Sequence, residues 1–221
     1  MQVDGFRDRR DAGRRLADAL AGREPAAAPA VIVGLARGGV PVAYEVAVRL
    51  GAPLDVLVVR KLGAPGQPEL ALGALAPDGV RVLNADLVRQ LGVTPPALDA
   101  LAAQEARELE RRARRYRSDR PPLDPAGRTA VLVDDGLATG ASMRAAVAWA
   151  RRRGAARVVV AVPVAARQAV AQLAQEADDV VAVAVPPWFD AVGAWYTDFS
   201  QTSDAEVVEL LDLARARPLG G

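Results

Sequence analysis

Short apolar runs alternate with helical patterns along most of the chain. The runs have the length of strands and occur at residues 31–33, 54–59, 130–133, 158–162 and 180–185. Such runs are typical of strands that are buried on both faces. Between them, apolar residues recur at helical spacing, and the helical stretches end at glycines such as Gly51 and Gly154. This alternation predicts βαβ units and a three-layer α/β/α fold with a mostly parallel sheet of five or six strands.

Two segments depart from this pattern. Residues 60–79 contain four glycines, three prolines and few bulky apolar side chains. This composition predicts a loop that is long for a compact domain, and such loops are often functional. Residues 186–202 have no clear period, and five of the nine aromatic side chains lie within them. Both segments are therefore candidates for contact with a ligand.

Capping residues predict two further helices. Thr94 precedes two prolines and marks the start of a long helix that reaches about Arg117. Ser203 and Glu206 form a capping box, which predicts the final helix of the chain.

The charge balance indicates neither a nucleic-acid nor a membrane partner. The chain has 28 basic and 27 acidic residues and a formal charge of +1. A basic run at residues 111–117 includes Arg112 and Arg114, which lie four residues after Glu108 and Glu110, so salt bridges on a solvated helix explain it. No run of about 18 apolar residues appears, and the N-terminus lacks the apolar stretch of a secretory signal. We therefore expect a cytoplasmic protein.

The chain contains no cysteine and no histidine. Their absence excludes disulfides, zinc–thiolate sites, thiol catalysis and Ser-His-Asp hydrolysis. Any metal ion has to be held by oxygen ligands, which favours Mg²⁺ or a similar hard cation.

Two adjacent carboxylates, Asp134 and Asp135, follow the predicted strand at residues 130–133. The small residues of 136–142 come next, and a helix is predicted to begin there. Backbone N–H groups of such a turn and the helix N-terminus form a cradle for phosphate. The two carboxylates would repel phosphate, so they suit hydroxyl groups or a metal ion on the same ligand. The pattern indicates a sugar phosphate with a free diol, and it matches neither a Walker loop nor a dinucleotide fingerprint.

Two other predicted strands end in residues suited to phosphate. Gly34–Gly39 is a glycine-rich turn in which Arg37 can donate a forked pair of hydrogen bonds. Arg60 and Lys61 close the second strand, and Lys61 is the only lysine among the 28 basic residues. Because the carboxyl ends of parallel strands share one edge, we expect Gly34, Arg60 and Asp134 to face one crevice.

The turn at Asp134 resembles the phosphoribosyl pyrophosphate (PRPP) motif of the type I phosphoribosyltransferases. Its form, Asp-Asp-x-Leu-Ala-Thr-Gly-x-Ser-Met, is most similar to that of the adenine phosphoribosyltransferases. The resemblance implies that Asp134 and Asp135 hold the ribose 2′- and 3′-hydroxyls and that the same pair is the candidate Mg²⁺ site. The residues implied for the 5′-phosphate are Ala138, Thr139, Gly140, Ala141 and Ser142.

The same resemblance covers the other two strand ends. Ala36, Arg37, Gly38 and Gly39 resemble the pyrophosphate loop of the family. Arg60 and Lys61 resemble the pair that precedes a flexible catalytic lid, which places the lid at about residues 60–80. The family pattern also implies an antiparallel edge strand in or near residues 70–83. A small hood at about residues 186–203 completes the expected single domain, residues 1–221.

The implied activity is Mg²⁺-dependent transfer of a 5-phosphoribosyl group from PRPP to a nitrogenous acceptor, with release of pyrophosphate, in nucleotide metabolism. The candidate catalytic residues are Lys61, Arg37, Asp134 and Asp135. The implied partners are PRPP and a small-molecule acceptor, in a homo-oligomer such as a dimer. Two alternatives remain open: a PRPP-binding regulatory protein without turnover, and a structural subunit that binds no PRPP.

The acceptor is the least defined part of this interpretation. Trp188, Phe189 and Trp195 form a candidate stacking platform for a planar base, although the same rings could anchor the C-terminal helix or form a dimer contact. In 6-oxopurine enzymes of the family an Asp stands where this chain has Ala138. An adenine-like or unfamiliar acceptor therefore fits better than hypoxanthine or guanine.

Overall fold

The computed structural model describes residues 5–23, 29–118 and 120–217, so the ends of the expected domain lie outside the described residues. The helices are α1 (Arg9–Ala21), α2 (Gly39–Leu50), α3 (Ala85–Gln90), α4 (Pro95–Arg117), α5 (Ala141–Arg152), α6 (Arg167–Leu173) and α7 (Asp204–Ala216). The strands are β1 (Ala30–Leu35), β2 (Leu54–Leu57), β3 (Arg60–Ala64), β4 (Gln67–Leu75), β5 (Arg81–Leu83), β6 (Thr129–Val133), β7 (Arg157–Val164) and β8 (Asp179–Ala184).

The main sheet confirms the predicted α/β architecture. It has five parallel strands in the order β2-β1-β6-β7-β8. Each strand corresponds to one of the apolar runs of the sequence. Alternate residues of a strand face opposite layers: Ile32 packs with α1 and α2, whereas Val31 and Val33 pack with α5. Both faces are therefore covered, as expected for uninterrupted apolar strands.

The capping predictions and the predicted Glu108–Arg112 pair are also confirmed. The Thr94 Oγ1 atom accepts the N–H of Ala97 at 3.4 Å, and the Ser203 Oγ atom accepts the N–H of Glu206 at 3.1 Å. On α4, the carboxylate of Glu108 lies 2.7 Å from the guanidinium of Arg112. Within the described residues, no helix combines the length and the apolar character needed to cross a membrane.

The prediction of a long loop at residues 60–79 is wrong. Most of this segment is an antiparallel hairpin formed by β3 and β4. Its chain reverses at Pro65–Gly66, where Gly66 has a φ of 75°, a value that glycine adopts readily. The few bulky apolar side chains of the segment anchor it nevertheless, because Leu62 and Leu72 are fully buried. The Pro-Gly pair was the sequence signal for this hairpin.

The expected antiparallel strand is present but does not join the main sheet. β5 lies within residues 70–83 and pairs with β4, so that β3, β4 and β5 form a separate three-stranded sheet. The main sheet ends at β2, which among the described strands pairs with β1 alone. The tight turn after β3 directs the chain into the hairpin instead of back along the edge of β2.

The topology creates one crevice at the carboxyl edge of the main sheet. β1 and β6 are neighbours, with Gly34 in register with Val133. From β1 the chain continues through α2 to β2 on one side, and from β6 it continues through α5 to β7 on the other side. Ligands of open α/β sheets bind at such a switch point. The turns after β1 and β6 therefore meet where a ligand is expected.

Candidate functional site

The acidic pair follows β6 directly and is anchored by local and distant contacts. The Asp134 Oδ1 atom accepts the N–H of Asp135 at 2.9 Å. The Asp135 Oδ2 atom accepts a hydrogen bond from the Nε atom of Arg9 at 2.9 Å, and these two side chains are only 17% and 12% exposed. The guanidinium of Arg9 thus compensates one of the two carboxylates.

Burial makes ionisation of both carboxyl groups unfavourable. The pKa of Asp134 lies well above its usual value because burial disfavours the charged form and the Asp135 carboxylate repels it. Burial also raises the pKa of Asp135, although the guanidinium of Arg9 opposes this effect. A bound cation, or hydroxyl groups that donate hydrogen bonds, would stabilise the charged form of both carboxyl groups.

We expect Asp134→Asn to stabilise the ligand-free fold at neutral pH. A carboxyl group whose pKa is higher in the folded than in the unfolded state destabilises the fold as the pH rises above the unfolded-state pKa. This penalty is complete above the folded-state pKa. The substitution should raise the free energy of unfolding by about 0.5–2 kcal/mol at pH 7. The gain should vanish below about pH 3.9, the usual pKa of Asp. Denaturant unfolding at pH 7 and at a pH below about 3.9 measures this difference in the free energy of unfolding.

Asp178→Asn is the matched control for this prediction. A hydrogen bond from Arg151 holds the pKa of Asp178 below its usual value. Its replacement should therefore lower stability at pH 7 and have no effect at low pH, which is the opposite sign. A loss of stability at pH 7 in Asp134→Asn would contradict the unfavourable burial of the acidic pair.

The turn after β1 packs against the acidic pair as the sequence predicts. A Cβ atom on Gly38 would lie 2.0 Å from the Asp135 Oδ2 atom, and one on Gly39 would lie 2.6 Å from the carbonyl oxygen of Val133. Both positions therefore require glycine for close approach. The peptide bond between Ala36 and Arg37 is cis.

The turn after β6 leaves the start of α5 open. Gly140 occupies the N-cap with a φ of 73°, and no side chain caps the helix. The N–H groups of the first helical turn are therefore free to bind an anion. The side chains of Ala138, Thr139 and Ser142 are exposed, whereas Ala141 is half-buried. An open helix start next to small, exposed side chains is suited to binding a phosphate group.

The three cations predicted for the pyrophosphate are each paired with a carboxylate. The pairs are Arg37 with Asp204 on α7 (3.5 Å), Arg60 with Glu105 on α4 (2.7 Å) and Lys61 with Glu69 on the neighbouring strand (3.0 Å). Asp204 also accepts a hydrogen bond from Tyr116 at 2.7 Å and forms an ion pair with Arg115 at 2.9 Å. The structure therefore positions the glycine loop at the acidic pair, while the charged ends of these side chains have acidic partners of their own.

The aromatic segment after β8 lies beside the acidic pair. The hydroxyl of Tyr196 donates to the carbonyl oxygen of Asp135 at 2.6 Å, and its ring packs with Phe6 and Phe199. Burial raises the pKa of Tyr196, and the Asp135 carboxylate adds to this effect. The apolar cluster around Phe6 and Tyr196 includes residues at the ends of β7 and β8, and it does not include α7. This contact was not predicted, although the aromatic content marked the segment.

The three aromatic side chains predicted for the acceptor have different surroundings. Trp188 is 89% exposed. Phe189 and Trp195 are partly exposed and pack against the cluster that contains Phe6 and Tyr196. The structure thus offers one fully accessible ring and two that are partly covered.

The acidic pair suits a Mg²⁺ ion that a ligand shares. Within the described ranges no group of three or more potential side-chain ligands could hold a metal ion. Magnesium is commonly held by one or two carboxylates, with substrate oxygens and water as its other ligands. Asp134 and Asp135 supply that minimum, and the raised pKa of each is consistent with a site that is completed by positive charge.

The fold and this site are those of a known protein family. The family model of the phosphoribosyl transferase domain matches residues 9–194, which is most of the chain. The chain therefore belongs to the phosphoribosyl transferase domain family. The match includes both glycine-containing turns, the hairpin and the first half of the aromatic segment.

Similarity to individual proteins supports membership of this family. Curated proteins from two Mycobacterium tuberculosis strains, provisionally named phosphoribosyl transferases, are 54% identical over 209 residues. These residues are 95% of this chain but 47% of the relatives, so the chain spans about half of their length. A crystal structure of a Thermus thermophilus protein is 50% identical, covers 94% of this chain and 97% of its own, and superimposes with a TM-score of 0.79.

A more distant structure shares the fold alone. A Neisseria gonorrhoeae protein that was crystallised with ppGpp is 12% identical, covers 97% of this chain and 99% of its own, and has a TM-score of 0.50.

Proposed function

We propose that the chain transfers a 5-phosphoribosyl group from PRPP to a nitrogenous acceptor and releases pyrophosphate. The observation that carries this proposal is the contact between the acidic pair and the Gly38–Gly39 turn at the switch point, next to the uncapped start of α5. One crevice thus combines groups suited to a diol, a diphosphate and a phosphate. Membership of the phosphoribosyl transferase domain family supports the same ligand.

In this proposal the acidic pair binds the ribose hydroxyls, and residues 138–142 bind the 5′-phosphate. The bond between ribose C1 and the pyrophosphate oxygen breaks, and the pyrophosphate leaves with the electron pair. A bond from C1 to the acceptor nitrogen forms, and the proton of that nitrogen passes to the pyrophosphate or to solvent. No residue acts as a nucleophile. The protein contributes position, exclusion of water and electrostatic stabilisation of the leaving group. When Mg²⁺ is bound, it neutralises charge on the pyrophosphate.

Arg37 and Lys61 can exchange their present partners for pyrophosphate. Their ion pairs are partly exposed: Arg37 and Asp204 are 30% and 28% exposed, and Lys61 and Glu69 are 45% and 96% exposed. Exposed pairs contribute about 0–1 kcal/mol, whereas a charge-assisted hydrogen bond contributes about 1.5–3 kcal/mol. Breaking these ion pairs therefore costs little, and the cations can move to the pyrophosphate as its negative charge develops. We propose Arg60 as an additional pyrophosphate contact.

For the acceptor we propose a planar nitrogenous base, with a purine of the adenine type as the first candidate. Exposed Trp188 can stack on such a base, and Phe189 and Trp195 lie in the same segment. The side chain at position 138 is a methyl group, which supplies no carboxylate to assist a 6-oxopurine.

A PRPP-binding regulatory protein is the second candidate function. The observation that favours it is the pairing of Arg37, Arg60 and Lys61 with carboxylates. If these pairs persist when PRPP is bound, the ligand is held without stabilisation of its leaving group.

A screen for pyrophosphate release separates the two functions. The chain is incubated with PRPP, Mg²⁺ and individual nucleobases or small amines, and PRPP binding is measured in parallel by calorimetry. Turnover with any acceptor supports the transferase. Binding without turnover supports the regulator, and the absence of both contradicts each proposal.

We expect the tip of the β3–β4 hairpin, residues 65–67, to act as the lid. Buried Leu62 and Leu72 hold the base of the hairpin, while the tip lies outside the core. Hydrogen exchange should be slow at the base and fast at the tip. Addition of PRPP and Mg²⁺ should increase protection at the tip. Strong protection of the tip without ligand, or no change with it, would contradict the lid.

A further inference from the structure

Arg9 lies where three segments of the site meet. Its Nε atom donates to the Asp135 carboxylate at 2.9 Å, and its Nη1 atom donates to the carbonyl oxygen of Ser200 at 2.6 Å. Its guanidinium carbon lies 4.0 Å from the centre of the Phe199 ring. One side chain from the first turn of α1 therefore contacts both the acidic pair and the aromatic segment.

The surroundings restrict both partners of this contact. A Cβ atom on Gly38 would lie 3.1 Å from the Arg9 Nε atom and 2.0 Å from the Asp135 Oδ2 atom. The hydroxyl of Tyr196 holds the backbone of Asp135, and the ring of Tyr196 lies 4.9 Å from that of Phe199. Asp135 is thus fixed through its carbonyl oxygen by Tyr196 and through one carboxylate oxygen by Arg9.

The charge of Arg9 also suits a polyanionic ligand. The two carboxylates alone would carry a charge of −2, which repels phosphate groups. The guanidinium on the Asp135 Oδ2 atom reduces this charge by one and leaves the Oδ1 atom for a hydroxyl group. Among the described residues, Arg9 is the cation that pairs with the Asp135 carboxylate.

We propose that Arg9 is a positioning residue for PRPP binding, which orients the Asp135 carboxylate and connects it to residues 196–200. The inference rests on the proposed function, because it assigns Arg9 a role towards the ligand of that site. Arg9 acts through Asp135 and makes no contact with PRPP itself.

The test compares Arg9→Met with and without the Asp135 carboxylate. Calorimetry gives the Kd of PRPP in the presence of Mg²⁺ for the full chain. Arg9→Met should weaken binding about 10- to 100-fold, the range for loss of one charge-assisted hydrogen bond. Arg9→Lys should restore part of the affinity because it keeps the charge but not the planar guanidinium. In an Asp135→Asn background, Arg9→Met should change Kd less than about threefold, since no carboxylate remains to be oriented.

Arg10→Met is the matched control. Arg10 is the next residue of α1, is 49% exposed and lies 4.0 Å from Glu45. Its replacement should leave Kd unchanged. In ligand-free protein, hydrogen exchange at residues 135–137 and 196–200 should increase in Arg9→Met and not in Arg10→Met.

Each result decides the inference. Equal losses of affinity from Arg9→Met in both backgrounds would mean that Arg9 acts on the ligand or on the whole fold, and would overturn it. Unchanged exchange at residues 196–200 would overturn the connection to the aromatic segment. Normal PRPP binding by Arg9→Met overturns the role of Arg9 alone. Failure of the unmodified chain to bind PRPP overturns the proposed function, and with it this role.

Discussion

We expect that replacing both carboxylates of the acidic pair, by Asp134→Asn with Asp135→Asn, abolishes stabilisation of the fold by PRPP and Mg²⁺. Ligand at about 100 times Kd should stabilise the unmodified chain by about 2.7 kcal/mol. In a domain of this size, that is a rise in melting temperature of roughly 5–10 °C. The variant should show no rise, because it lacks the charged acceptors for the ribose hydroxyls. Thermal unfolding with increasing PRPP measures the effect.

The chain contains its own control for this experiment, the adjacent pair Asp178 and Asp179. Asp178 precedes β8 and Asp179 begins it, so both lie at the opposite edge of the sheet from the acidic pair. Their double replacement by Asn should leave the PRPP-induced rise intact, even where the starting melting temperature falls. A full rise in the Asp134 and Asp135 variant would remove the acidic pair from the proposed site.

We expect Lys61→Ala to lower turnover with the true acceptor by about 10²–10³, comparable to the loss of one preorganised electrostatic donor. PRPP affinity should change only a few-fold. Lys61 pairs with Glu69 in an exposed ion pair, and we expect its side chain to exchange this partner for the pyrophosphate as the pyrophosphate leaves. Its charge then acts mainly in the transition state, which changes kcat more than binding. Lys61→Arg should restore only part of the rate.

Arg81→Ala is the control for Lys61. Arg81 lies on β5 of the same small sheet and pairs with Asp99 in a similarly exposed ion pair. It should leave turnover unchanged. Normal turnover in Lys61→Ala would show that this lysine has no catalytic role. A large loss of PRPP affinity with unchanged kcat would make Lys61 a binding residue and contradict its action in the transition state.

The main sheet could be predicted because its signal is local. Each strand is an apolar run, and the helices between the strands have apolar residues at helical spacing. Parallel order then follows from the alternation of strands and helices. The hairpin at residues 60–79 was missed because its two strands contain no β-branched residue. Their stability comes from Leu62 and Leu72, which pack into the core.

The contacts around the acidic pair could not be predicted in the same way. Arg9 is separated from Asp135 by 126 residues, and no motif distinguishes it from the 26 other arginines of the chain. Tyr196 belonged to a segment with a visible aromatic bias, but its hydrogen bond to Asp135 depends on how the segment folds back over β7 and β8.

The sequence by itself determined the α/β class, the position of the acidic pair at the end of a strand, and the glycine-containing turns after β1 and β6. Each of these depends on residues that are close together in the sequence. Only the tertiary structure decided which cations face which carboxylates. Arg37 pairs with Asp204, Arg60 with Glu105 and Arg9 with Asp135. A charged side chain can pair with any opposite charge that the fold brings within reach. Its partner therefore follows from the packing of helices and strands, and residue type alone does not identify it.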